Sequence, residues 1–116
     1  MSIQIGQGSN RNIIFKIKFN VVSDTDTILF ALKGKNSNEP IFKYSQKISE
    51  LEQENDIYTF IVNLSTQFTL DLALGKYFYD LTLIDEQDER VPLTGLKSID
   101  IVETIGAKSG VDNEWG

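Results

Sequence analysis

The stretch Gly75-Lys76-Tyr77-Phe78-Tyr79-Asp80-Leu81-Thr82-Leu83-Ile84-Asp85 decides the fold. Its side chains alternate between a series that is wholly apolar or aromatic and a series that is mixed, as in a β-strand with one side in a core. The apolar series is Tyr77, Tyr79, Leu81 and Leu83, and the mixed series is Lys76, Phe78, Asp80, Thr82 and Ile84. A glycine opens this run and an acidic turn closes it, so the segment is predicted to be a strand with one face in a core.

Several further short segments share this alternation and are separated by turn-forming residues. Their regular spacing, without long helical segments between them, favours an antiparallel sandwich or barrel over a parallel α/β sheet. The sequence therefore predicts an all-β domain of about seven strands. These strands are expected over residues 12–19, 27–33, 41–48, 57–64, 75–84, 90–93 and 96–105.

Residues 65–74 interrupt the β pattern and predict one short helical turn across an end of the sandwich. Ser65 or Thr66 suits the first cap of a helix, and Gly75 suits the left-handed position that follows a helix end. The acidic segment 49–56 permits a helical turn as well, but its low apolar content favours a polar connection.

The length of 116 residues indicates one domain. We divide it into a flexible N-terminal arm (1–10), the β-sandwich domain (11–105) and a polar C-terminal tail (106–116). The chain has no cysteine and no histidine. This composition excludes catalysis by serine or cysteine with histidine, and zinc sites of the usual ligand sets. We expect no enzymatic activity, no catalytic residue and no cofactor.

The net charge of -6 disfavours a nucleic-acid partner, because phosphate binding requires a basic face. The first ten residues are polar and glycine-rich, so no signal peptide is expected. No apolar run approaches the length of a membrane span, so no membrane partner is expected. No small-molecule substrate is expected either.

Two acidic segments are possible sites of other chemistry. The turn 85–89 offers carboxylates for calcium, but it lacks the ligand spacing and central glycine of a calcium loop. The carboxylates of 50–56 offer a pair for acid–base work, but nothing indicates a cleft. Solvated surface is the favoured interpretation of both, and no metal ligand is predicted.

Aromatic residues give a further alternative. Four tyrosines, if exposed, would form a platform for sugar stacking. The alternation instead places them on the core side, with each hydroxyl satisfied near the rim. These residues are Tyr44, Tyr58, Tyr77 and Tyr79.

Four large apolar residues violate the alternation, one in each of four strands, because they point away from the predicted core. They are Ile14, Leu29, Ile61 and Phe78. Such residues scattered singly need no explanation, but gathered on one face they would mark an assembly interface. Trp115 lies in a polar tail that cannot bury it locally, so it joins them as a candidate anchor on a neighbouring protein.

The order of these segments resembles a known family. The resemblance rests on Gly6-Gln7-Gly8 before a Phe-x-Ile-x-Phe strand, on Tyr58-Thr59-Phe60-Ile61-Val62, and on Leu74 before the Gly75–Leu83 run. The chain is similar to the small immunoglobulin-like β-sandwich proteins of tailed bacteriophages and prophages. It resembles in particular the N-terminal domains of baseplate upper proteins.

This resemblance implies an immunoglobulin-like sandwich and a virion structural protein associated with the tail or baseplate. It implies self-assembly into a homo-oligomer, docking to other virion proteins, and synthesis in the bacterial host cytoplasm. Two alternatives stay open: a glycan- or protein-binding module on a phage or bacterial surface, and a head or neck component of the virion.

Overall fold

The computed structural model describes residues 3–19 and 22–104. In this part of the chain, nine strands and two short helical segments follow one another. The strands are β1 (Ile3–Gly6), β2 (Arg11–Lys18), β3 (Thr27–Gly34), β4 (Phe42–Lys47), β5 (Glu52–Glu54), β6 (Ile57–Leu64), β7 (Gly75–Ile84), β8 (Arg90–Pro92) and β9 (Lys97–Val102). The helix α1 covers Thr66–Asp71, and a 3-10 turn covers Ile48–Glu50.

The strands form two sheets. The larger sheet has the order β1-β9-β7-β3-β4, with β8 paired to the second half of β7. The smaller sheet has the order β2-β6-β5. All neighbours are antiparallel except β1 and β9, which are parallel. The predicted all-β sandwich with a short helical turn is confirmed, and strand 75–84 has the predicted bounds.

An aromatic cluster joins the two sheets. Phe30 of β3 lies 5.3 Å from Tyr79 and 6.1 Å from Phe15, measured between ring centroids. Phe15 belongs to β2, and its ring lies 6.2 Å from that of Phe60 in β6. Phe30 and Phe60 are fully buried. These contacts hold the inner faces of the sheets together, at the positions that the alternation predicted for the core.

The helix α1 begins as the sequence predicted. Ser65 is its N-cap, and the Ser65 hydroxyl accepts a hydrogen bond of 3.2 Å from the backbone N–H of Phe68. Its end differs from the expectation, because Leu72 is the C-cap. Gly75 instead opens β7, with a φ of 134° that disfavours any residue with a Cβ atom.

The buried hydroxyl of Thr69 fixes α1 to the N-terminal segment. It donates a hydrogen bond of 2.6 Å to the backbone carbonyl of Ser9. Thr69→Val keeps the shape but leaves this carbonyl without its donor, so we expect a loss of about 1–3 kcal/mol in the free energy of unfolding. Thr69→Ser, which keeps the hydroxyl, should lose less. Urea unfolding of both variants measures whether the valine variant is the less stable of the two. A valine variant as stable as the wild type would contradict the prediction.

The N-terminal segment is not an arm, so the prediction for residues 1–10 is corrected for the described part. Ile3–Gly6 pairs with β9, and Ile5 is only 1% exposed. The backbone N–H of Gln7 donates to the carbonyl of Val102 over 2.8 Å. A Cβ atom at Gly6 would collide with the Thr104 side chain, so a glycine is needed there. The sandwich therefore begins at Ile3 and not at residue 11.

The acidic segment 49–56 contains more structure than the predicted polar connection. After the 3-10 turn, Glu52–Glu54 pairs with β6 as a short edge strand. The C-terminal tail 106–116, with Trp115, lies outside the described residues. No helix within 3–19 and 22–104 is long and apolar enough to cross a membrane.

Candidate interaction surface

The structure separates the four outward apolar residues into two pairs. Ile14 and Ile61 lie directly opposite each other in the β2–β6 ladder of the smaller sheet, and they are 58% and 42% exposed. Leu29 and Phe78 belong to the larger sheet and are half-buried. The four residues therefore do not share one face, and the pair on the smaller sheet is the more exposed.

We call the outer side of the smaller sheet the small-sheet face. Registers and burial define it, since the alternate residues of β2, β6 and β5 point outward there. Its members are Asn12, Ile14, Lys16, Lys18, Glu52, Glu54, Ile57, Thr59, Ile61 and Asn63. Ile14 and Ile61 are neighbours across the β2–β6 ladder, and Ile57 lies further along β6 between Lys18 and Glu54.

The charges of the small-sheet face are sorted by strand. Lys16 and Lys18 stand on β2, while Glu52 and Glu54 stand on β5, with β6 between them. Lys16, Thr59 and Glu52 occupy one row across the sheet. The face therefore has a basic column on one side and an acidic column on the other.

Polar contacts fix parts of this face. The Nδ2 atom of Asn63 donates to the side-chain oxygens of Asn10 and Asn12, both over 2.8 Å. The Nζ atom of Lys18 lies 3.9 Å from the carboxylate of Asp56, and both side chains are mostly exposed. This exposed ion pair contributes little to stability. The charged side chains thus remain accessible to a partner.

Two hollows open on or beside the small-sheet face. One of about 680 Å³ lies between Lys16 and the β5–β6 hairpin, with Ile57 and Thr59 in its lining. Another of about 230 Å³ lies at the start of β5, where Ile61 and Leu51 contribute to its wall. The face therefore has concave places next to exposed isoleucines.

The edges of the smaller sheet are less suited to docking than the small-sheet face. Within the described residues, no strand pairs with the free edge of β2, which carries Arg11 as well as the two lysines. Basic side chains on an edge strand oppose strand addition. The β5 edge is only three residues long, and two of them are glutamates. Short or charged edges favour contact through a face over edge-to-edge pairing.

On the outer side of the larger sheet, Phe78 borders a pocket of about 330 Å³. Lys33 and Asp80 add charged groups, and Pro40 and Leu96 close other sides. Leu96 is 58% exposed. This pocket combines one aromatic ring with polar groups, as small ligand sites do.

Hydrogen bonds to the Asp85 carboxylate organise the acidic turn 85–89. Both the Gln87 and Glu89 N–H groups donate to the Oδ1 atom of Asp85 over 2.9 Å. Asp88 has a φ of 64°, which an aspartate tolerates in a tight turn. Among the described residues, no cluster of three or more potential metal-ligating side chains occurs. The Asp85 carboxylate thus stabilises a hairpin turn.

The tyrosines do not form a common exposed platform. Tyr79 is buried, and burial raises the pKa of its hydroxyl. Tyr77 donates its hydroxyl to the carbonyl of Ala73 over 2.7 Å, and burial raises its pKa too. Tyr58 contacts Phe19 edge-on. Tyr44 is 37% exposed and stacks on a core ring.

Comparison with known proteins adds no family to these observations. No protein-family model matches the chain, and no curated protein matches it.

Proposed function

We propose that this chain is a structural protein of a phage or prophage virion, associated with the tail or baseplate. It acts by self-assembly and by docking to other virion proteins, without catalysis. The tail assignment rests on the sequence resemblance. The assembly role rests on the exposed apolar residues of the small-sheet face.

The exposed Ile14–Ile61 pair is the observation that carries the assembly role. Single exposed apolar residues are ordinary, but these two are cross-strand neighbours on one sheet face. Ile57 lies on the same side of β6 and is 36% exposed, with the row of Lys16, Thr59 and Glu52 between it and Ile61. A partner that covers this surface removes apolar area from water, which favours association.

Fractionation of particles tests the virion assignment. We expect the chain to co-purify with particles from a lysate of the bacterium that encodes it, and mass spectrometry should detect it in density-banded particles. An abundant cytosolic protein, followed through the same gradient, is the control for contamination. A chain that stays with the cytosolic control and is absent from the particles would contradict the proposal.

The same experiment separates the tail from the head and neck alternative. After tails are released from heads, the proposal expects the chain in the tail fraction. Recovery with empty heads or necks would favour the alternative, in which the same exposed surface docks in another part of the virion.

The pocket beside Phe78 supports the second candidate function, a glycan- or protein-binding module. Its volume of about 330 Å³ is at the lower end for ligand sites, which span roughly 300–1,000 Å³. Two results together would favour this module. The chain would bind surface glycans in a way that Phe78→Ala abolishes, and it would be absent from the particles.

A further inference from the structure

We infer that the small-sheet face binds the same face of a second copy of this chain, around a two-fold axis that runs along β6. This inference deepens the proposed assembly function and rests on it. It names the partner, the face and the symmetry of the contact.

The charge columns carry the inference. A two-fold axis along the central strand places β2 of one copy above β5 of the other. Because Lys16 and Glu52 share one row and Lys18 and Glu54 lie in the row of Ile57, each lysine then faces a glutamate of the other copy. One copy therefore provides both halves of a self-complementary charge pattern, as an isologous interface requires.

The exposed isoleucines fit the same arrangement. Along the axis, Ile61 of one copy meets Ile61 of the other, and Ile57 meets Ile57. Ile14 is displaced from the axis by one strand, so it faces the β5 side of the other copy in the row of Ile61. The hollow of about 230 Å³ lies there, with Ile61 and Leu51 in its wall. The most exposed isoleucine of the face thus meets a concave place.

The size of the face sets the expected affinity. Two strands of eight residues and one of three, about 4.8 Å apart and with about 3.3 Å per residue, cover roughly 300 Å². This area on each partner is less than half of the roughly 800 Å² that each side of a standard stable interface buries. The dimer is therefore expected to be weak and to form only at high protein concentration.

Charge reversal tests the inference with two variants, K16E/K18E and E52K/E54K. In the first variant both columns are acidic, and in the second both are basic. Each variant alone is expected to have a dimer dissociation constant at least about tenfold higher than that of the wild type, because symmetry doubles every repulsive contact. An equimolar mixture is expected to recover the dimer, since every acidic column then faces a basic one.

Analytical ultracentrifugation from about 10 μM to 1 mM measures these constants. Matched controls place the same reversals elsewhere: K35E/K43E on the β3–β4 region and E86K/E89K on the β7–β8 turn. These controls are expected to dimerise like the wild type. Recovery in the mixture also demonstrates that both variants are folded, and the single variants Lys16→Glu and Glu52→Lys provide a milder pair.

Three outcomes would overturn the inference. If the wild type is monomeric throughout, or if K16E/K18E and E52K/E54K dimerise as well as the controls, the small-sheet face is not the contact. If the reversed variants stay monomeric when mixed, the columns do not face each other. A dimer formed through the β2 edge would be distinguished from the proposed dimer, because E52K/E54K changes only β5 and would not weaken it. None of these outcomes affects recovery of the chain in particles, so the proposed virion role is judged separately.

Discussion

Phe30→Ala is expected to lower the free energy of unfolding by about 3–5 kcal/mol, which is a large part of the roughly 5–15 kcal/mol typical of a domain. Phe30 is fully buried at the centre of the aromatic cluster. Its ring contacts rings from both sheets, so its removal leaves a cavity that neither sheet alone can fill. The cost combines the lost transfer energy with the lost contacts around that cavity.

Urea unfolding measures this loss. With a slope of about 1–3 kcal/mol per molar urea, the midpoint is expected to fall by roughly 2 M. Phe78→Ala is the matched control, since it removes the same ring from a half-buried position on the outer face of the larger sheet. The free energy of unfolding should fall clearly less for Phe78→Ala than for Phe30→Ala. Equal losses at the two positions would contradict the central role of the cluster.

Ile5→Asp is expected to cost about 3–5 kcal/mol at neutral pH, because it places an unpaired charge in the core beside β9. Gln4→Asp makes a similar change at the exposed neighbouring position of the same strand, and it should cost less than about 0.5 kcal/mol. If the segment were a flexible arm, both variants would be equally stable. Thermal and urea unfolding of the two variants therefore test whether β1 is part of the sandwich.

The pH dependence of Ile5→Asp adds a second test. Burial raises the pKa of the introduced carboxyl in the folded state above its unfolded value of about 3.9. The folded state then binds more protons between these two pKa values, so stability falls as pH rises through them. The deficit relative to Gln4→Asp should shrink as pH is lowered toward 4. A deficit that is independent of pH would mean that the carboxylate reaches water.

Local patterns predicted the long strands because each of them carries its own alternation. The inward series of β7 and the cap at Ser65 depend on neighbours within a few residues, and both were predicted. The short strand at 90–92 was also predicted, but β1 and β5 were missed because residues within a few positions do not reveal them. Ile3–Gly6 is flanked by glycine and pairs with a strand more than ninety residues away, and Glu52–Glu54 is wholly acidic or polar.

The candidate surface was predicted in part. Alternation identified Ile14 and Ile61 as outward-facing, but it does not determine which strands become neighbours. The pairing of β2 with β6, and the placement of Leu29 and Phe78 in the other sheet, depend on long-range contacts. Ile57 was missed, although its outward position follows from the same alternation that buries Phe60. The sorting of lysines and glutamates into columns becomes visible only once the strands are ordered.

The parallel pairing of β1 with β9 has a mechanical consequence. These are the first and last described strands, and four residue pairs join them from Ile3↔Ile99 to Gly6↔Val102. A force that pulls the start of β1 away from the end of β9 acts along both strands in opposite directions. It loads the whole ladder in shear, so the hydrogen bonds between the two strands must break together and not one after another. The β1–β9 ladder thus resists tension applied along these two strands.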